Sequence, residues 1–279
     1  MHRILGLGDN TVDTYVDAGV QYPGGNAVNV AVMTARMGAE TGYLGCVGED
    51  EGGALVRSAL VAEGVDVARL RPRPGANARA FIGHVDGDRK FLRTQNGVRA
   101  DYRWDDADFE YIARFDHVHT SIYSQLDDVL PLVARAAPSV SIDGSNRWTP
   151  EWLDRVLPHV RIAFLSASEV SESDLDALIT RCLASGPEVV VATRGGDGAI
   201  GATKTERLKQ AALPTTVVDT LGAGDGFISG FLVGYLGGAC LPNALTAGAT
   251  YAARVCTWNG GFGHGARWTG DATAVAANA

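Results

Sequence analysis

Val217-Val218-Asp219-Thr220-Leu221-Gly222-Ala223-Gly224-Asp225-Gly226-Phe227 is a β-like run that stops at an acid, a loop of small residues, and a helix opening near Gly224. Strand, tight loop and helix in that order are the building unit of α/β proteins. Small residues let an anion approach the backbone, and the first amides of a helix point outward with no intrahelical partner. The helix dipole adds about 0.3–1 kcal/mol for an exposed anion. That is what a transferring phosphoryl group needs: charge stabilisation and a fixed line of attack. A carboxylate in the same turn has little place in a simple phosphate cradle. Asp225 makes sense as the base that takes a proton from an attacking hydroxyl, against the plainer reading of a favourable acid in a first helical turn.

Behind the loop, Gly226, Gly230 and Gly234 recur at i+4, flanked by Phe227, Ile228, Phe231, Leu232 and Tyr235. A smooth stripe of this kind admits a close neighbour, and a helix over residues 241–256 with Ala244, Ala247, Gly248 and Ala252 suits it.

Working outward, short β runs alternate with helical stretches, the signature of a parallel sheet covered on both faces. The pattern predicts strands at residues 3–8, 43–47, 117–122, 140–142, 162–165, 188–193 and 198–202. It predicts helices at 26–38, 52–63, 125–136, 151–157 and 172–184. Residues 12–22 and 79–94 are β-like with no following helix, and Asp86-Gly87-Asp88 reads as a hairpin turn. They are expected to pair as a small β lid on one domain spanning 1–268, with 269–279 a flexible tail. His117 and His119 alternate on one strand face. They are expected to serve the core or an interface, because no third residue at a metal-ligand spacing accompanies them.

Strand C-termini are where α/β sheets bind ligands. Gly8-Asp9-Asn10 closes the first strand, with Asp13 four residues on. Such carboxylates suit a polyol, though solvated loop acids look the same. Gly24-Gly25-Asn26 opens a helix in which Asn26 and Asn29 offer donors and acceptors; Asn26 equally reads as an N-cap. Arg147, Glu169 and the turn Thr193-Arg194-Gly195-Gly196-Asp197-Gly198 also follow strand ends.

The 279 residues are 46% hydrophobic and 20% charged, enough for a sizeable core and unlike a disordered chain. A net charge of −8 without a Lys/Arg cluster argues against a nucleic-acid partner. No apolar run reaches bilayer length and the N-terminus lacks a signal-peptide pattern, so a cytoplasmic protein is expected. The four cysteines form no C-x-x-C pair and read as reduced.

Together, Gly24-Gly25-Asn26 with Asn29, residues 45–48 followed by Asp50 and Gly53, and residues 219–225 resemble the ribokinase, or PfkB, carbohydrate kinase family, over residues 4–261. Residues 8–13, 24–32 and 115–119 resemble its fructoselysine 6-kinase branch. The resemblance implies a ribokinase-like three-layer sandwich with a mostly parallel sheet and a small β lid, often shared in a homodimer. It implies an ATP-dependent kinase acting on a sugar or sugar-amine hydroxyl, with Asp225 as base and Gly222, Ala223 and Gly224 as anion hole. Asp9, Asp13, Gly24, Gly25, Asn26 and Asn29 would hold the sugar. Arg147, Glu169, Thr193, Arg194, Gly196 and Gly198 would lie at the nucleotide, with Glu169 reaching Mg2+ through water. A monovalent cation, usually K+, would sit at Asp219 and the Leu221 carbonyl. Two positions depart from the family pattern: Ser166 replaces the Asn of Asn-x-x-Glu, and Gly226 stands where Ser or Thr is common. Another acceptor (fructose, ribose or a nucleoside) and a catalytically silent sugar-binding protein are the alternative readings.

Overall fold

The computed structural model describes residues 2–85 and 88–270. In chain order its elements are β1 (Arg3–Gly8), β2 (Thr11–Tyr15), β3 (Val20–Gly24), α1 (Asn26–Arg36), β4 (Glu40–Gly48), α2 (Glu51–Ala62), β5 (Asp66–Arg73), β6 (Arg79–Val85) and β7 (Asp88–Gln95). Then come α3 (Asp106–Ile112), β8 (His117–Ser121), α4 (Leu130–Ala136), β9 (Val140–Asp143), α5 (Pro150–Val156), β10 (Ile162–Ser166), α6 (Glu172–Ala184) and β11 (Val189–Thr193). The chain continues through β12 (Ala199–Ala202), β13 (Arg207–Gln210), α7 (Ala223–Leu236), α8 (Leu241–Val255) and β14 (Ala266–Arg267).

The described strands form two sheets, one ordered β13-β12-β11-β10-β9-β8-β1-β4-β5 and a smaller one ordered β14-β3-β2-β6-β7. In the large sheet only β12, among the described strands, runs against the rest. Side chains alternate across each strand, so both faces are apolar and both must be covered. Ala163, Leu165, Val190 and Ala192 face α4, α5 and α6. Ile162, Phe164, Val189 and Val191 face α7 and α8, while α1 and α2 pack further along with Tyr43 and Val47. The result is a three-layer sandwich.

α7 and α8 meet along the predicted glycine stripe. A Cβ on Gly226 would lie 2.6 Å from Val255 Cγ2, and one on Gly230 would lie 2.5 Å from the Ala247 carbonyl oxygen. Phe231 and Leu232 are fully buried there, each contributing about 1.5–3 kcal/mol by leaving water.

The two segments expected to form a lid do pair: β2 with β6 in parallel, and β6 with β7 antiparallel. Asp86 and Gly87 of the expected turn, and residues 271–279 of the expected tail, lie outside the described residues.

Other expectations need correction. Val217–Asp219 is not a strand; Val217 and Val218 are 58% and 55% exposed. The sheet ends at β13, so these valines have no partner strand and instead tie to the end of α8 through Val218 N–H to the Cys256 carbonyl (2.8 Å). The helix expected from residue 125 starts at Leu130, because Ile122–Ser124 is a 3-10 turn and Gln125 is left-handed (φ 54°). β5, α3, β13 and β14 were not foreseen. β5 is an edge strand that carries Pro72, and its alternating Arg69 and Arg71 are half-buried in ion pairs with Asp108 of α3.

Candidate active site

The parallel strands end along one edge of the sheet at Gly8, Ser121, Asp143, Ser166 and Thr193. Asp9 follows β1 and is 2% exposed. Its Oδ2 accepts the Asn26 N–H (2.8 Å), and its Oδ1 accepts the hydroxyls of Ser121 (2.7 Å) and Ser124 (2.9 Å). Thus Asp9 caps α1 from outside, a negative charge at a helix N-terminus. The helix has no cap side chain of its own, because Gly25 occupies that place. Gly25 has φ 104°, and a Cβ there would lie 2.5 Å from Asn10 Cα. Only glycine turns the chain from β3 into α1 so tightly.

This turn delivers two asparagines to Asp225, which sits partly exposed in the first turn of α7. Asn26 Nδ2 donates to Asp225 Oδ1 (2.7 Å) and Asn29 Nδ2 donates to Asp225 Oδ2 (2.5 Å). Burial pushes the Asp225 carboxyl up to about 6, against those two hydrogen bonds and aided by the charge of Asp9. A carboxylate poised just below neutrality is a serviceable base.

Asp143, at the end of β9, was not singled out from sequence. It accepts the Ser145 N–H (2.7 Å) and a second hydrogen from Asn26 Nδ2 (3.0 Å). Burial pushes it up to about 7; the Ser145 N–H opposes this, and the charges of Asp225 and Asp9 add to it. One amide therefore bridges two carboxylates. The sequence signal was available: an acid closing a strand at the edge where Asp9 closes another.

α7 is preceded by Gly222 at φ 77°, where a Cβ would lie 2.8 Å from Gly261 Cα. Gly226 N–H makes the first i→i−4 bond, to the Gly222 carbonyl (2.8 Å), and Ala223 N–H turns back to Thr220 (3.2 Å). The amides of Gly224 and Asp225 precede that ladder and have no helical carbonyl to reach. A Cβ on Gly224 would meet nothing within 4 Å. The chain itself does not require glycine there, and the space in front of the helix is open. The same holds at Gly196.

Asp219, 8% exposed, anchors the loop: its Oδ1 accepts Leu221 N–H (2.9 Å), and its Oδ2 accepts Gly260 N–H (3.1 Å) and the Tyr15 hydroxyl. Arg194 N–H bonds to the Gly198 carbonyl (2.7 Å), closing the turn after Thr193. Its guanidinium faces the Val170 carbonyl (3.4 Å) and Glu172 (3.8 Å). A cavity of about 590 Å³ beside this turn is lined by Arg194, Asp197, Lys209 and Glu172. Arg147 and Glu169 are exposed at the turns after β9 and β10. No hydrogen bond joins either to the Asp225 cluster among the described residues.

On the other side, Asp13 is buried and Gly24 leaves it room, since a Cβ would lie 2.2 Å from Asp13 Oδ2. Next to it Asn10 Nδ2 donates to Tyr43 Oη (3.0 Å) and the Cys46 carbonyl (2.6 Å). Asn10 Oδ1, Asn29 Oδ1, Tyr102 Oη and Arg99 Nε are buried with no hydrogen-bond partner among the described residues. Burial pushes the Tyr102 phenol well up, with Tyr43, Asp9 and Cys46 adding to it. Unpaired buried polar atoms are rare in a folded chain and are places where water, an ion or a polar ligand can be held. Asn10, Arg99 and Tyr102 escaped the sequence reading because a lone polar residue in a turn carries no pattern.

The pfkB family carbohydrate kinase model matches residues 5–262. The chain is 38% identical to fructosamine kinase FrlD of Bacillus subtilis (strain 168), over 94% of each chain. It is 34% identical to fructoselysine 6-kinase of Escherichia coli (strain K12), over 94% of this chain and 100% of that one. Arabidopsis thaliana ribokinase, solved with ribose and ATP, superposes with a TM-score of 0.82 at 21% identity, over 98% of this chain and 97% of that one. The family model over residues 5–262 and sequence likeness along nearly the whole chain place this protein in the pfkB family of carbohydrate kinases.

Proposed function

We propose that the chain is an ATP-dependent fructosamine kinase of the fructoselysine 6-kinase type. The observation that carries the reading is Asp225, held by two asparagine amides at the mouth of a helix N-terminus whose leading glycine faces open space. The acceptor hydroxyl attacks the γ-phosphorus of ATP as its proton passes to Asp225. The bond from that phosphorus to the bridging oxygen breaks, and ADP leaves. The Gly224 and Asp225 amides stabilise the charge on the transferring group. The sugar lies over Asp9, Asp13, Gly24 and Gly25, where the unpaired atoms of Asn10, Arg99 and Tyr102 offer further hydrogen bonds.

The nucleotide runs from Gly224 toward Thr193, Arg194, Gly196 and Gly198, with Arg147 beside the phosphates. Glu169 is the carboxylate for the water shell of Mg2+, an ion that binds mainly through substrate phosphates and one or two carboxylates. The Asp219 carboxylate and the Leu221 carbonyl make an all-oxygen set that suits K+, whose charge would reinforce the neighbouring amides. The second sheet acts as a lid within one kinase domain. The protein works as a cytoplasmic homodimer, and Phe91, 58% exposed on β7, suits a lid-to-lid contact.

The test is a coupled ADP assay with fructoselysine, other fructosamines, fructose and ribose, run on the wild type and on Asp225→Asn. Fructosamines should give the highest kcat/KM. The variant should lose about 10²- to 10⁴-fold in kcat with sugar binding retained. Unchanged turnover in the variant would remove Asp225 from its role. A preference for ribose or fructose would replace the acceptor. Sugar binding with no turnover in the wild type would favour the silent binding protein.

A further inference from the structure

His117 and His119 are fully buried on one face of β8, beyond the groups assigned to phosphoryl transfer. The β8–β9 register sets His119 opposite Ser141, with Ser139 two residues earlier. Four contacts link them in series. Ser139 Oγ meets His117 Nδ1 (2.9 Å), and His117 Nε2 meets Ser141 Oγ (2.7 Å). Ser141 Oγ meets His119 Nδ1 (2.8 Å), and His119 Nε2 meets Asn26 Oδ1 (2.9 Å). Asn26 Nδ2 then reaches both Asp225 and Asp143.

The direction of every proton follows from the acid end. The Asn26 nitrogen faces two carboxylates, so its amide oxygen points at His119 and can only accept. His119 must therefore carry its proton on Nε2, and its Nδ1 must accept the Ser141 hydroxyl. With that proton committed, Ser141 accepts from His117 Nε2–H. His117 Nδ1 in turn accepts from Ser139. A proton added to His119 Nδ1 would turn the Ser141 hydroxyl toward His117 Nε2 and force that ring into its Nδ1–H tautomer, reversing the chain. Burial pushes both rings down to about 3, with Arg161 and His2 adding to the effect on His117, and His117 to that on His119. Both are neutral throughout the working range.

We propose that His119 is a positioning residue for the catalytic base: through the one-way chain that His117 and Ser141 complete, it locks the Asn26 amide with its NH2 toward Asp225 and Asp143. This rests on the role given to Asp225 above. Released from His119, the amide can turn over and set its oxygen against two carboxylates. Asp225 then keeps only the Asn29 donor, in the field of Asp9 and Asp143.

The sign for pH follows. The base works ionised, so wild-type kcat/KM rises with pH through an acid limb near 6 and levels above it. Loss of a donor to the ionised form raises that limb, by about one unit.

Two measurements test the proposal on the full chain. Long-range 15N–1H spectra of the wild type should show both rings as neutral Nε2–H tautomers from pH 6 to 8. This reading needs no substrate, so a wrong acceptor leaves it intact. In kinetics, His119→Leu should lower kcat about 10- to 100-fold, with a smaller change in KM and a raised acid limb. His119→Gln, whose side-chain amide can still donate to Asn26, should restore much of both. An Nδ1–H or imidazolium signal from His119 overturns the proposal even if His119→Leu does not fold. So does a folded His119→Leu with the wild-type pH profile and kcat, or a His119→Gln no better than His119→Leu.

Discussion

Glycine at position 224 serves no need of the chain: its φ is not in the left-handed region, and a Cβ would meet open space. Elsewhere in a helix, glycine to alanine gains about 0.5–1 kcal/mol through reduced chain entropy. Gly224→Ala should therefore leave the urea midpoint unchanged or raise it, while kcat falls because a methyl group stands in front of the amides. A destabilised variant would mean that the glycine is structural. Full activity would move the phosphoryl group elsewhere. Gly222, by contrast, is fixed by its own fold through a positive φ and the backbone of Gly261. The two glycines look alike in sequence. What separates them is whether the obstacle belongs to the chain or to a ligand, and only coordinates reveal that. Asp9 teaches a similar lesson. From its place after β1 it reads as a sugar carboxylate, yet its oxygens are also given to α1 and to two serines.

At the scale of elements, α7 and α8 approach because Gly226 and Gly230 present no side chain. Gly230→Ala places a methyl 2.5 Å from a backbone carbonyl oxygen. The helix must move off, and the overpacking should cost about 1–3 kcal/mol despite the better helix propensity of alanine. Chemical denaturation would measure it; a stabilised variant would show that α8 shifts freely. This pair was legible in advance, since an i+4 glycine repeat beside large apolar residues has one simple packing solution. So were the central strands, whose continuous apolar runs reflect burial on both faces. β5 was hidden by its edge position, where charges and a proline are tolerated. α3 was hidden by its length of seven residues, too short for a period, although its capping box Asp105-x-x-Asp108 was visible. Val217 and Val218 misled for the opposite reason. Two β-branched residues in a row suggest a strand, but a strand needs a partner, and the sheet had already ended.

Across the whole molecule, Asp219 gathers segments that are far apart in sequence. Tyr15 of the second sheet and the Gly260 amide near the C-terminus both reach its carboxylate, which also holds the Leu221 N–H. A cation bound at Asp219 and the Leu221 carbonyl would favour the folded state through mass action, by about 2.7 kcal/mol when present at a hundred times its Kd. The Tm should therefore be higher in KCl than in NaCl at equal ionic strength, with no substrate present. Equal values would retire the K+ site in this protein. The same convergence bears on biosynthesis. Contacts spanning 204 and 41 residues close late, because each requires ordering the chain between its ends. A chain still on the ribosome, with α7 already emerged but residue 260 still inside the tunnel, lacks one brace of the loop that leads into α7. Such a half-made polypeptide cannot yet hold the Asp219 loop in its mature form, and residue 260 must emerge before the stretch leading into α7 is locked.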